Sequence, residues 1–152
     1  MKSFYFAYGS NMDRDRMIER GVRILSEKVG FIEGWKLVFN KIATSPSGAG
    51  YANITKEENS KVYGVLYKIE NSDLKKLDKY EGCPNHYKRE RIPVILHDGK
   101  KITAEVYIAQ SNKTREGLKP TEEYMKYLIN GAKQHNLPSS YIKFLESIEV
   151  LK

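Results

Sequence analysis

The stretch Phe4-Tyr5-Phe6-Ala7-Tyr8-Gly9-Ser10-Asn11-Met12 decides how this chain is read. Phe4 to Ala7 is an apolar, aromatic-rich run and reads as a buried strand. Gly9, Ser10 and Asn11 break it. From Met12 to Arg20 the pattern turns helical, with Asp13 and Asp15 in the first turn and Gly21 as a stop signal. Asn11 suits the N-cap, because its side-chain oxygen can accept from an amide of the first turn. A strand, a tight glycine loop and a helix start together aim several backbone N–H groups at one spot, which suits an anion. Taken locally, the same residues also fit an ordinary strand-to-helix turn.

The 152 residues are enough for one domain with its own core. Hydrophobic residues make up 40% and charged residues 30%, a soluble globular composition that argues against disorder. No apolar run approaches the roughly 20 residues of a membrane span. The N-terminal residues lack the basic region, apolar run and cleavage site of a signal peptide. Cys83 is the single cysteine and cannot form an internal disulfide, so a reducing, cytoplasmic setting is expected. The net charge of +7 raises the question of nucleic acid. The basic residues are scattered, as Lys75-Lys76, Lys88-Arg89 with Arg91, and Lys100-Lys101, and acids interleave with them. No nucleic-acid motif accompanies them, so the charge reads as a solvated surface that also steers small anions.

Outward from the opening stretch, strands are predicted over Ile24–Trp35 and Trp35–Ile42, followed by a Ser-, Gly- and Pro-rich loop at Ala43–Gly50. A short strand at Tyr51–Ile54, a polar turn at Lys56–Ser60 and a longer strand at Val62–Ile69 follow, with Gly64 marking a bend or a close backbone approach. Asn71 to Glu81 reads as a helix, capped by Asn71 or Ser72 and ended by Gly82 and Pro84. Arg91–His97 and Ile102–Ala109 form a hairpin around Asp98-Gly99. Pro120–Gln134 reads as a helix with Tyr124, Tyr127, Leu128, Gly131 and Ala132 on its core face. Pro138 opens a last helix carrying Tyr141, Phe144, Leu145 and Ile148. The fold class is α+β in a single domain, 1–152, and many strands with few helices suggest an antiparallel or mixed sheet that closes or nearly closes.

Glu81 is the most informative candidate for chemistry. Leu74, Leu77, Asp78 and Glu81 fall on one helix face, and the leucines turn that face inward. A carboxylate drawn toward the core is costly unless paired, and burial raises its pKa from about 4.3 toward the range useful for proton transfer. The alternative is a helix-end Glu that turns out to water, and Asp78 shares the face as a second candidate. Cys83 would need an adjacent base such as His86 to act as a nucleophile. Ser10 lacks the Gly-x-Ser-x-Gly spacing of a hydrolase elbow. His86, His97 and His135 are dispersed and no second cysteine exists, which argues against zinc. Gly48-Ala49-Gly50 has no Gly-Lys-Ser/Thr after it and is not a phosphate loop. Tyr124 fits plain core, although a buried hydroxyl there needs a partner.

Several pieces then appear in a particular order. The N-terminal strand runs into Tyr8-Gly9-Ser10-Asn11, and a glycine-rich loop precedes Gly50-Tyr51-Ala52-Asn53-Ile54. Val62-Tyr63-Gly64-Val65-Leu66-Tyr67 follows, and then the helix Leu74-Lys75-Lys76-Leu77-Asp78-Lys79-Tyr80-Glu81-Gly82. This order resembles the γ-glutamylcyclotransferase-like superfamily. The tail, with Tyr124, Gly131-Ala132-Lys133-Gln134-His135-Asn136-Leu137-Pro138 and Tyr141, is similar to the γ-glutamylcyclotransferase branch, so the resemblance covers nearly the whole chain. It implies a small mixed β-barrel flanked by helices with one pocket, and enzymes that release 5-oxoproline and a free amine from γ-glutamyl amides without metal or other cofactor. Residue by residue, Glu81 matches the catalytic glutamate, Tyr8, Gly9, Ser10 and Asn11 the substrate-binding loop, and Tyr124 a pocket tyrosine. The implied partner is a small γ-glutamyl substrate, with no nucleic acid or membrane, for a monomer or homodimer. Cys83-Pro84-Asn85-His86-Tyr87 lies where relatives with different substrates vary. The leaving group is therefore open: an amino acid, another amine such as lysine in an isopeptide, or the rest of glutathione. A non-catalytic binding module on the same barrel is the reading from another class.

Overall fold

The computed structural model describes residues 1–152. Strands β1 (Lys2–Ala7), β2 (Ser26–Ile42), β3 (Gly50–Glu70), β4 (Tyr87–Leu96) and β5 (Lys101–Ala109) form a closed barrel in the order β1-β3-β2-β4-β5. Neighbours run antiparallel, except that β5 meets β1 in parallel, with Glu105 opposite Tyr5, to close the ring. Four helices flank it: α1 (Arg14–Glu19), α2 (Asn71–Glu81), α3 (Glu122–Gln134) and α4 (Ser139–Glu146). No helix is long and apolar enough to cross a membrane.

The continuous apolar run of β1 follows from burial on both faces. Phe6, and Tyr8 just past the end of β1, join a cluster with the strand residues Ile32, Ile54, Val62, Leu66, Val94 and Val106, which fills the barrel. Tyr5 and Ala7 belong to a second cluster, where Val65, Tyr67 and Ile69 of the sheet meet Met17, Leu74, Leu77, Leu128 and Leu145 of the helices. Two-residue alternation thus divides one short strand between two cores. Gly64 marks a close approach, as its place in the sequence suggests: a Cβ there would come within 2.7 Å of Phe6 Cζ and closer still to Ala7 O.

The boundaries differ from the sequence reading in several places. The two strands expected over Ile24–Ile42 are one, with the left-handed Gly34 (φ +82°) at a register shift between Glu33 and Trp35. The two strands and turn expected over Tyr51–Ile69 are also one. The register jumps from Glu33↔Lys61 to Trp35↔Lys56, so polar Glu57, Glu58, Asn59 and Ser60 stand opposite Gly34 as a bulged excursion within β3. Asn11 is not the N-cap. A 3-10 turn, Ser10–Met12, intervenes, and Asp13 caps α1 by accepting from the amides of Asp15 (2.9 Å) and Arg16 (3.4 Å). The cap of α2 is Glu70, not Asn71 or Ser72, and Asn71 instead accepts a hydrogen bond from Ser3 Oγ. Thr121, not Pro120, precedes the first turn of α3 and accepts from Tyr124 N at 3.1 Å. The buried face of α3 is Met125, Leu128, Gly131 and Ala132, while Tyr124 and Tyr127 are half-buried. Ile148 lies beyond the end of α4, and Phe144 is exposed.

Gly131 matters for what comes next. A Cβ there would lie 2.6 Å from Asp13 N and closer to the Met12 carbonyl carbon. The glycine lets α3 rest directly on the turn that carries Ser10 and Asn11.

Candidate active site

α2 carries Leu74 and Leu77 into the core, and its last residue is Glu81. Gly82 then ends the helix in the left-handed conformation (φ +63°), with its N–H bonded to Lys79 O at 3.2 Å. The Glu81 carboxyl lies in a pocket of about 480 Å³ at the end of β1. Tyr8, Gly9, Ser10, Asn11 and Tyr124 line the same pocket, so the five residues matched to substrate binding and the matched glutamate come together in one place.

The contacts explain how. Asn11 Nδ2 donates to Tyr5 Oη (2.9 Å) and to Glu81 Oε1 (3.3 Å), which uses both of its N–H groups. Asn11 Oδ1 is buried and has no partner. Tyr67 Oη, 2.9 Å from both Asn11 O and Met12 O, pins the backbone of the turn from the core. Tyr124 Oη accepts the amide hydrogen of Ala52 (3.1 Å), and Tyr87 Oη donates to Ala52 O (2.8 Å). Gly9 runs between them: a Cβ would stand 3.2 Å from Ala52 Cβ and 3.4 Å from Tyr124 Oη, narrow clearance for any side chain. Tyr8 Oη donates to Tyr107 O at 2.6 Å.

Burial pushes the Glu81 carboxyl above the usual carboxylate value, while Arg20, Arg16, Lys41 and the Asn11 bond pull it back. Arg20 is its nearest cation, with Nη1 at 3.9 Å from Oε1. Burial also pushes the Tyr124 hydroxyl up to about 12; the Ala52 amide opposes this and Glu81 adds to it. Asp78, one turn earlier on the same face, is differently placed. Its Oδ1 accepts from Tyr107 Oη (2.7 Å) and pairs with Arg89 Nε (2.8 Å), and Arg89 continues to Glu105 (2.7 Å). Asp78 is therefore committed to a structural network, whereas the Glu81 carboxyl faces open pocket space. Cys83 does not line the pocket, and burial raises its thiol pKa, the opposite of an activated nucleophile. No group of three or more His, Cys, Asp or Glu side chains has the arrangement of a metal site.

Three cationic pocket residues were not singled out from the sequence. Arg16 Nε donates to Ser10 Oγ (3.1 Å) and its guanidinium stacks over Tyr127 at 4.3 Å. Arg20 lies over Tyr80 at 4.8 Å. Their spacing of four places them one above the other at the pocket, a signal present in the helical pattern of Met12–Arg20. Lys41 is 6% exposed, with its Nζ bonded to Ile42 O at 2.9 Å. It lies just past the bulge between Val38 and Lys41, which breaks the alternation set by Leu37, so no periodicity in the sequence marks it.

The chain and its fold have known relatives. Residues 61–145 match the AIG2-like family. The γ-glutamylcyclotransferase of Bos taurus is 34% identical over 149 residues, covering 95% of this chain and 78% of that protein. The γ-glutamylcyclotransferase of Homo sapiens is 32% identical over the same length and coverage. A solved structure of a γ-glutamyl cyclotransferase superposes with a TM-score of 0.87 at 30% identity, covering 100% of this chain and 90% of that one. In sequence and fold, this chain belongs to the γ-glutamylcyclotransferase family, whose members cyclise γ-glutamyl amides to 5-oxoproline.

Proposed function

We propose that Glu81 is the acid–base of a cyclotransferase reaction in this pocket, acting on the γ-glutamyl amide of an amino acid or amine. The observation that carries the reading is the contrast between the two carboxyls of α2. Asp78 is consumed by Arg89 and Tyr107, whereas Glu81 keeps a raised proton affinity at the pocket.

The substrate's own α-amine attacks its γ-carbonyl carbon. A C–N bond forms to close the five-membered ring, and the original amide C–N bond breaks. The amine arrives as an ammonium and ends as the ring N–H, so two protons leave it. Glu81 takes the first to free the nucleophile and gives it to the departing nitrogen, then takes the second as the ring closes and passes it on to the released amine. Bending the chain in the pocket makes the attack an oriented intramolecular step, a contribution of up to about 7–11 kcal/mol to lowering the barrier. Asn11 orients Glu81 through Nδ2 and leaves the buried Oδ1 as an acceptor for the substrate ammonium. The backbone amides of Gly9 to Asn11, with Arg16 beside Ser10, receive the α-carboxylate. Tyr124, fixed by the Ala52 amide, bounds the bent chain. The lone free Cys83 supports work in a reducing compartment.

The test is to incubate the protein with γ-glutamyl dipeptides, glutathione and γ-glutamyl-lysine and to detect 5-oxoproline by mass spectrometry. Product from at least one of them that disappears in Glu81→Gln is expected. A wild-type protein that forms none from the whole panel overturns the reading.

A further inference from the structure

We propose that Lys41 is a specificity-determining residue that binds a carboxylate on the departing half of the substrate. The identity of that substrate rests on the cyclotransferase reading above.

Lys41 breaks the local rule of its strand. At the end of β2 the lysine is buried and the neighbouring Ile42 is 37% exposed, the reverse of what polarity demands. Such inversions occur where a fold gives up stability for a site. The register of β2 against β3 shifts between Val38 and Lys41, which places the lysine just past a bulge, a device that re-aims side chains beside active sites. Its ammonium has three donors, and the protein supplies one acceptor, Ile42 O. Tyr87 and Tyr51 flank it, with ring centroids 5.6 and 5.8 Å from Nζ. These π faces favour a cation but supply no counter-charge. No carboxylate lies within ion-pair distance of Lys41, and the pocket's own carboxylate, Glu81, is paired with Arg20. A buried cation left without an anion is costly, and the cost is removed when a ligand brings one.

The pocket's charges indicate which anion. Arg16, Arg20, Lys41 and Lys79 line it against Glu81 alone. With Arg20 on Glu81 and Arg16 beside the Ser10 turn, Lys41 is the buried cation left over. A γ-glutamyl-α-amino acid carries a second carboxylate, next to the amide nitrogen that departs. A γ-glutamylamine or an amidated peptide has none. Lys41 therefore discriminates for the former through a charge-assisted hydrogen bond in a desolvated site.

The test compares γ-glutamyl-alanine with γ-glutamyl-alaninamide, which differ only in carboxylate against neutral amide. Dissociation constants are measured by calorimetry in Glu81→Gln protein, alone and combined with Lys41→Met or Lys41→Arg, and kcat/KM with Glu81 intact. With Lys41 present, the carboxylate peptide is expected to be preferred by about 10- to 100-fold. Lys41→Met removes the preference and Lys41→Arg retains it. Loss of the same size on both peptides, or a preference that survives Lys41→Met, overturns the proposal. So does equal binding of the two peptides when Lys41 is intact, a result that stands even if Lys41→Met does not fold. If Glu81-intact protein makes no 5-oxoproline from either peptide, the catalytic reading fails, while the ratio of dissociation constants still decides for or against Lys41.

Discussion

Asn11 Nδ2 stands 3.3 Å from Glu81 Oε1 and joins segments separated by 70 positions in the chain. The contact couples the Ser10–Met12 turn to the end of α2. Through Tyr67 on the turn's carbonyls and Gly131 beneath its backbone, the same turn is locked to the barrel and to α3. In the proposed mechanism, proton transfer at Glu81 and substrate binding at the turn therefore share one support.

Glu81→Gln keeps the size of the side chain and removes its exchangeable proton. The expected loss in kcat is about 10²–10⁴-fold, with product binding retained. Asp78→Asn is the control on the same helix face. It weakens the Arg89 pair and so costs stability, about 1–3 kcal/mol, but has the smaller kinetic effect. Steady-state rates of the two variants on one γ-glutamyl dipeptide decide the assignment. Abolished turnover in Asp78→Asn beside an active Glu81→Gln would transfer the role to Asp78.

The raised pKa of Glu81 has a signed effect on stability. Below its ordinary value of 4.5, native and unfolded states are both protonated and the residue is neutral in its effect. As pH rises past that value the unfolded chain ionises first, so the native state is destabilised until its own carboxyl ionises. Glu81→Gln does not titrate. Its melting temperature should gain on wild type as pH increases from about 4 and then level off. A gap that is flat with pH would show that Glu81 is not perturbed.

Tyr124→Phe removes the acceptor of the Ala52 amide and the hydroxyl closest to Gly9. Turnover should fall, and the melting temperature should drop by a few degrees, since one hydrogen bond contributes about 1 kcal/mol. Kinetics unchanged from wild type would assign Tyr124 to packing alone.

Gly131→Ala tests the support from below. An alanine normally stabilises a helix interior by up to about 1 kcal/mol over glycine. Here its Cβ would collide with the Met12–Asp13 backbone, so thermal unfolding should show net destabilisation. Displacing the turn should also raise KM for a γ-glutamyl dipeptide. A variant with a higher melting temperature and normal KM would mean that the turn is not held by this contact.

What could be read from the sequence is what short-range chemistry controls. The strand at Phe4–Ala7, the helix Asn71–Glu81 with its left-handed Gly82 and the hairpin around Asp98-Gly99 depend on alternation, capping and turn residues within a few positions. The inward face of α2 was equally legible, because Leu74 and Leu77 set it for Glu81 as well. Only the tertiary structure shows that Asp78 is occupied while Glu81 faces the pocket, since the partners of Asp78 come from β4 and β5. It also decided that β2 and β3 run through Gly34 and the polar Glu57–Ser60 segment, because pairing across a closed barrel tolerates bulges that local polarity reads as turns. Asn11 was drawn from a cap into the interior by Tyr5 and Glu81, which left Asp13 to start α1. The burial of Lys41 is of the same kind: a lysine just past a strand bulge declares nothing until the barrel closes and two tyrosines from other strands enclose it.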